Sequence, residues 1–178
     1  MSAITTYTGK RIDPADPAPE ALDLTDIAHA LSMTCRGNGH VTVFYSVAQH
    51  CIACAKEALG RGYPRRTALA CLLHDSGEAY LSDVPRPFKQ EMPRYLAAEE
   101  RLLDMIYTKF LGSPLTAEEA RQVKEIDDAL LQSDLRVLFA KKPTGPAPVL
   151  ALPPDYSFRP FKEVELHYLE LYNRLKNQ

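Results

Sequence analysis

The chain has 178 residues, 46% hydrophobic and 25% charged, with a formal net charge of −2, five His, four Cys and no Trp. That length suits one domain with a core of its own, and the composition excludes disordered, collagen-like and coiled-coil classes. No apolar run nears the roughly 18 residues of a membrane helix, Met1–Tyr7 lacks the basic start and apolar core of a secretory signal, and the small negative charge argues against general nucleic-acid binding while leaving small anionic ligands open.

The expectation is a soluble, cytoplasmic, single domain spanning 1–178, with no membrane and no nucleic-acid polymer as partner. The first 20 residues read as a ribbon and an irregular stretch. Ile4-Thr5-Thr6-Tyr7-Thr8 and Lys10-Arg11-Ile12 flank Gly9, and their β-branched content predicts a small β-ribbon. Pro14, Pro17 and Pro19 then exclude helix.

From Asp26 the pattern turns helical. Ile27, Ala30 and Leu31 share a face of a helix to Met33, with Thr25 as its expected N-cap. Ser46-Val-Ala-Gln49 spells a capping box for a helix to Leu59, ending before Gly60 and Gly62. Pro64 opens the next helix, whose body is Ala68, Leu69, Leu72 and Leu73. Glu91 to Leu111 reads as one long amphipathic helix stopped by Gly112. Thr116-Ala-Glu-Glu119 is a second capping box, for a helix to about Ala140. Six prolines between Pro143 and Pro160 predict a long irregular segment, and a last helix spans about 162–175. The class is all-α: a bundle of about six helices, core about 26–140, with a small N-terminal β-ribbon. Cys35, Cys51, Cys54 and Cys71 are few and sit in apolar, helix-like sequence. They read as reduced thiols acting as small hydrophobes, and Cys51-Ile-Ala-Cys54 has no second pair to complete a zinc tetrad.

Chemistry concentrates in Leu72-Leu-His-Asp-Ser-Gly-Glu-Ala-Tyr-Leu-Ser-Asp-Val-Pro-Arg-Pro87. His74, Asp75, Glu78 and Asp83 follow a strongly apolar helix, and burying such groups unpaired costs about 1–3 kcal/mol each. A metal ion is the economical partner for an imidazole beside a carboxylate. Adjacent helical residues diverge by about a hundred degrees, so an ion shared by His74 and Asp75 needs further ligands from elsewhere. His50, one turn into its helix, and Asp127, among Ile126, Leu130 and Leu131, are the candidates. Two imidazoles and two carboxylates suit Mn, Co, Fe, Ni or Zn, with Mg also admitted, and leave coordination positions open. Asp128 competes with Asp127, and a solvated helix face is the plainer reading of either.

The ordered set His50, His74-Asp75, Asp127 resembles the HD-domain phosphohydrolase superfamily, and within it the bacterial 5′-deoxynucleotidase-like branch. Tyr45-Ser-Val-Ala-Gln-His50, His74-Asp-x-x-Glu78, Asp83-x-Pro-x-Pro87 and Val123-Lys-Glu-Ile-Asp127 carry the resemblance, which covers about 26–139. The ribbon and Arg36-Gly-Asn-Gly-His40 are similar to small phage and bacterial HD hydrolases. The resemblance implies a divalent ion on His50, His74, Asp75 and Asp127. It implies Glu78 as the acid/base group, Arg36 on the phosphate, and Asp83 on the sugar or working beside Glu78. Gly37 stands where that branch has an aromatic that helps choose the sugar, so the sugar preference stays open.

The implied activity is metal-dependent release of phosphate from (deoxy)nucleoside 5′-monophosphates. Removal of triphosphate from a dNTP is the near alternative, with Arg86 and Lys89 closest among the extra cations and further Mg for the longer chain. A metal- or nucleotide-sensing module without turnover is the remaining one. His40 reads equally as a contact to phosphate or base and as a turn cap. His29 reads as structural and His167 as surface or packing. A homodimer or higher oligomer is left open.

Overall fold

Residues whose polar groups are satisfied locally set the elements, and buried apolar stripes assemble them. The computed structural model describes residues 3–177. The N-terminal ribbon pairs β1 (Ile4–Thr5) antiparallel with β2 (Arg11–Ile12), Ile4 opposite Ile12. Thr8 ties it to the bundle, its N–H and hydroxyl donating to the buried Asp26 carboxylate at 2.7 and 2.9 Å.

Eight α-helical segments follow among the described residues: α1 (Leu24–Met33), α2 (Val47–Gly60), α3 (Arg65–Leu73), α4 (Glu78–Leu81), α5 (Arg86–Lys89), α6 (Pro93–Leu111), α7 (Ala117–Val137) and α8 (Phe161–Asn177). The fold is all-α with a small ribbon. Both capping boxes form: Ser46 and Gln49 on α2, Thr116 and Glu119 on α7. Several boundaries differ from expectation: α2 runs on through Gly60 and α7 stops at Val137 rather than near Ala140. Asp23, not Thr25, caps α1, accepting from the Thr25 N–H at 2.8 Å. Pro64 is the residue before α3 rather than its first. The helix expected from Glu91 starts at Pro93, because a residue before proline is pushed out of the helical region; Met92 sits at φ −117, ψ 71. The short α4 and α5 fill the gap between the two long elements.

α3 is the innermost element. Every residue from Thr67 to Leu73 is buried, as a helix walled by α2, α6, α7 and α8 must be. α2 packs on α1, α3, α7 and α8, burying Val47, Ala48, Cys51, Ala55 and Ala58. These small residues let the neighbouring helices approach closely. α7 contributes Val123, Ile126 and Leu130 to the same core. The C-terminal end of α3, the first turns of α2 and the middle of α7 therefore meet inside the bundle.

The proline-rich stretch 143–160 has neither helix nor strand but is anchored to the bundle. The buried Glu57 carboxylate accepts from the N–H groups of Ala151 and Leu152 at 3.0 and 2.9 Å, and the Arg136 guanidinium donates to the carbonyls of Pro143, Gly145 and Pro146. All four cysteines are free thiols; Cys51, Cys54 and Cys71 are buried and Cys35 half-buried. No helix among the described residues is long and apolar enough to cross a membrane.

Candidate metal centre

His50 projects from the first turn of α2 into the core and is fully buried. Its Nδ1 lies 2.9 Å from Asp134 Oδ2. A carboxylate only accepts here, so Nδ1 carries a hydrogen toward Asp134, and Nε2 is the nitrogen aimed at the cluster. That Nε2 stands 3.2 Å from Asp127 Oδ1. His74 follows α3 directly, still in helical conformation. Its Nδ1 donates to the Cys71 carbonyl at 2.8 Å, which again leaves Nε2 aimed at the cluster. That nitrogen stands 3.3 Å from Asp75 Oδ1 and 3.6 Å from Asp127 Oδ1.

Two imidazoles thus turn their Nε2 atoms toward two carboxylates, as protonated donors in the ion-free protein and as ligands only once deprotonated. Ligand atoms each about 2.0–2.2 Å from a common ion stand about 3–3.5 Å apart, the spacing of these pairs. Five buried side-chain polar atoms lack a hydrogen-bond partner among the described residues. Three of them are His74 Nε2, Asp75 Oδ2 and Glu78 Oε2. A buried polar atom without a partner is costly, and the clustering of three here fits a bound cation. The two thiols of α2 lie beside the same atoms. Cys54 Sγ is 3.4 Å from His50 Nε2. The ligand atoms of His50, Cys54 and His74 fall within 4.8 Å of one another, as do those of Cys51, His74 and Asp75. These buried His, Cys and Asp groups could hold a metal ion.

The electrostatics of the cluster follow from burial and close opposite charge. Burial and Arg36 oppose a charge on His50, yet Cys54, Asp134 and Asp127 outweigh them and hold its pKa well above the ordinary imidazole value. His74 is likewise raised, against burial, by Asp75, Cys51 and Asp127. Asp127 is held far below the ordinary carboxylate range, its burial overcome by His50 and His74. Glu78 moves the other way: burial, then Asp75 and Asp83, push it up to about 9. Burial raises Asp83 as well.

A cavity of about 230 Å³ opens on this cluster, lined by Arg36, Asp75, Glu78, Asp83, Lys89 and Asp127 with the apolar side of α7. Arg36 lies just after the chain leaves α1, its N–H bonded to the Tyr45 carbonyl. Its guanidinium reaches Asp75 at 3.6 Å and Asp134 at 3.4 Å. Ser82 adopts φ +69, ψ 159 at the end of α4, a backbone seldom taken by a residue other than glycine. It redirects the chain so that Asp83 joins the lining. Lys89 also lines a neighbouring acidic cavity with Glu99 and Glu100 and bonds Glu99 at 2.6 Å.

Of the residues singled out in the sequence, His50, His74, Asp75, Glu78, Asp83, Arg36, Lys89 and Asp127 are brought together. His40 is not: it is exposed after the 36–39 turn and lines neither cavity. Asp128 turns to solvent and pairs with Lys124 at 2.8 Å, which leaves Asp127 to face the imidazoles. The sequence reading missed Asp134 and Tyr156. Asp134 lies seven residues after Asp127, in the buried register of α7. That acidic residue at an apolar position was the available signal. Tyr156, from the proline-rich stretch, donates its hydroxyl hydrogen to Asp134 Oδ1 at 3.0 Å and lies 2.7 Å from Ser133 Oγ, whose hydroxyl can donate to it.

No protein-family model matches the chain. Over 138 residues, 78% of its length, it is 35% identical to the uncharacterized protein YfdR of Escherichia coli, and the match covers 73% of that protein. It is also 35% identical over 127 residues to the uncharacterized protein RCAP_rcc00048 of Rhodobacter capsulatus, covering 67% of this chain and 64% of that one.

Proposed function

The chain belongs to the same family as YfdR of Escherichia coli, and for it we propose a divalent-metal-dependent phosphohydrolase of the HD type, acting on nucleotides. The preferred reaction is hydrolysis of a (deoxy)nucleoside 5′-monophosphate to nucleoside and phosphate. The observation that carries the reading is the trio of unpartnered buried atoms on His74, Asp75 and Glu78 beside the Arg36 guanidinium. A mixed set of imidazole and carboxylate with a nearby free carboxyl group and a cationic rim suits phosphate ester hydrolysis.

His50, His74, Asp75 and Asp127 would hold the cation, which fits Mn, Co, Fe, Ni or Zn by donor type, with Mg admitted. Such an ion polarises a phosphoryl oxygen and acidifies water. Asp134 and the Cys71 carbonyl fix both imidazoles with Nε2 outward. Arg36 offers a planar fork to the phosphate oxygens. Glu78, whose burial gives it a high proton affinity, accepts the proton of the attacking water once ionised. Water oxygen bonds to phosphorus, the ester bond to the sugar oxygen breaks, and a proton ends on that oxygen. Asp83 stands where it can accept a hydrogen bond from a sugar hydroxyl.

One observation keeps the triphosphate alternative in view. Arg86 lines the cavity and is only loosely paired, at 3.8 Å from Asp127 and 3.9 Å from Asp128, so it is free to meet a longer anionic chain. The test is phosphate release from a panel of nucleoside mono- and triphosphates with Mn²⁺ or Co²⁺, repeated with Glu78→Ala. The proposal expects phosphate from monophosphates and a loss of about 10²–10⁴-fold in the variant with metal retained. Release of intact triphosphate from dNTPs alone selects the alternative. A wild type that binds nucleotide and turns over none of them is a sensor, and the proposal fails.

A further inference from the structure

The cavity that opens on the metal cluster is polarised along its length. Asp127, Leu131, Leu135 and Phe139 recur every four residues and all line it. Asp127, Leu131 and Leu135 run along α7 over about 12 Å at the helical rise, and Phe139 follows just past the end of the helix. The metal-facing carboxylate is at one end. Away from it the wall presents Leu131, Leu135 and Phe139, with the Asp134 carboxylate beside Leu135 already engaged by His50 and Arg36.

Phe139 closes that far end in a defined way. A Cβ placed on Gly37 would fall 2.6 Å from the Phe139 Cζ atom. The tip of the ring therefore abuts the Gly37 backbone, at a distance only glycine allows. Gly37 sits at φ +57, ψ 33, a conformation glycine adopts without strain. The two segments are fastened beside this contact: the Thr42 N–H and hydroxyl both donate to the Leu138 carbonyl, at 2.8 and 2.9 Å. The ring thus spans from α7 to the 36–42 loop, next to Arg36. Yet it pairs with no other aromatic ring among the described residues. A fixed, half-buried aromatic group that lines a cavity and has no aromatic neighbour offers a surface for a planar ring of the ligand.

We propose that Phe139 is the wall against which the substrate's base packs, so that the cavity takes a phosphate at the Arg36–Asp127 end and a planar heteroaromatic ring at the Leu135–Phe139 end. The inference rests on the phosphohydrolase reading for the orientation of the ligand. It makes Phe139 the specificity-determining residue between a nucleotide and a sugar phosphate of the same charge. An aromatic contact to a base is worth about five- to 150-fold in affinity, and the half-open site argues for the lower part of that range.

The test compares dAMP with 2-deoxyribose 5-phosphate, which has the same phosphate and sugar without the base, on the full metal-loaded chain. Phe139→Leu is expected to raise KM for dAMP about tenfold with kcat within about twofold, and to leave kcat/KM for deoxyribose 5-phosphate unchanged. In parallel, NMR of dAMP with the Mg²⁺- or Zn²⁺-loaded wild type is expected to show contacts between base protons and the Phe139 ring. Equal losses on both substrates, or no change on either, overturn the proposal. Base contacts to Phe139 without hydrolysis support the wall and overturn the phosphohydrolase reading instead. Absence of both contacts and hydrolysis overturns the two together.

Discussion

Two places in this molecule set a histidine against a buried carboxylate, and they end differently. At the ribbon end, His29 Nδ1 meets Glu165 Oε2 at 3.0 Å, its ring stacks on Tyr7 at 3.6 Å, and Glu165 takes its other bond from Lys162 at 2.6 Å. The Glu165 carboxylate is satisfied on both oxygens by the chain, and the pairing ends in a surface lysine. At the α2–α3–α7 junction, His50 and His74 also have their Nδ1 atoms satisfied. Their Nε2 atoms instead converge on Asp127 and Asp75, and buried oxygens and a nitrogen are left over. Residue types do not separate a structural histidine from a ligand. What marks His50 and His74 as the proposed ligands is the convergence of their Nε2 atoms on carboxylates beside unpartnered buried atoms.

The comparison can be broken most forcefully at Asp127. Asp127→Ala is expected to weaken cation binding by more than the roughly 10–100-fold that outer partners carry, read by calorimetry on chelator-treated protein. Asp128→Ala, one residue on but turned to Lys124, is expected to leave it unchanged. A loss with Asp128→Ala instead would reverse the register. Next in size is the support behind His50. Asp134→Asn should cost about 10–100-fold in cation affinity, and Tyr156→Phe, which removes one of the bonds to Asp134, only a few-fold, as fits a net hydrogen bond of about 1 kcal/mol. Unaltered affinity in Asp134→Asn would mean that the His50 tautomer needs no carboxylate.

A pH series sharpens the contrast further. In cation-free protein the raised pKa values of His50 and His74 contribute stability fully present below the unfolded value of about 6.5 and lost as pH rises through the folded values. Glu78, raised to about 9, adds a penalty that grows as pH climbs above its unfolded value of about 4.3. The depressed pKa of Asp127 contributes above its unfolded value of about 3.9 and is lost only on acidification. Urea melts of chelator-treated protein should therefore show falling stability from pH 6 to pH 9, with bound Mn²⁺ reversing the trend because alkaline pH frees the ligands. A flat profile would show that the cluster carries no such charge. The smallest effect is expected at the ribbon end: His29→Ala should cost about 1–2 kcal/mol of stability and leave cation binding untouched.

What could be read from the sequence was what is encoded locally. Ser46–Gln49 and Thr116–Glu119 begin helices because each box satisfies orphan N–H groups within four residues. The all-apolar body of α3 told of its burial, and His74 and Asp75 at its end drew attention to the cluster. Boundaries moved where a neighbour intervened, as Pro93 did for α6. Asp134, Tyr156 and Phe139 were not found, because their roles exist only across the fold. Asp134 meets His50 across 84 positions, Tyr156 reaches back 22 to Asp134, and Phe139 acquires its place only when the Gly37 turn folds against it. Cys54 was read as a small hydrophobe, and it is buried in the core as such, but its thiol also lies 3.4 Å from His50 Nε2.

The proposed metal centre is tested most directly by titrating chelator-treated protein with Co²⁺ while following heat and the d–d absorption of the ion. The account predicts one ion per chain in the wild type and no saturable binding in His50→Ala, whose fold is checked by circular dichroism. Equal binding by His50→Ala, with the same stoichiometry and spectrum, would contradict it.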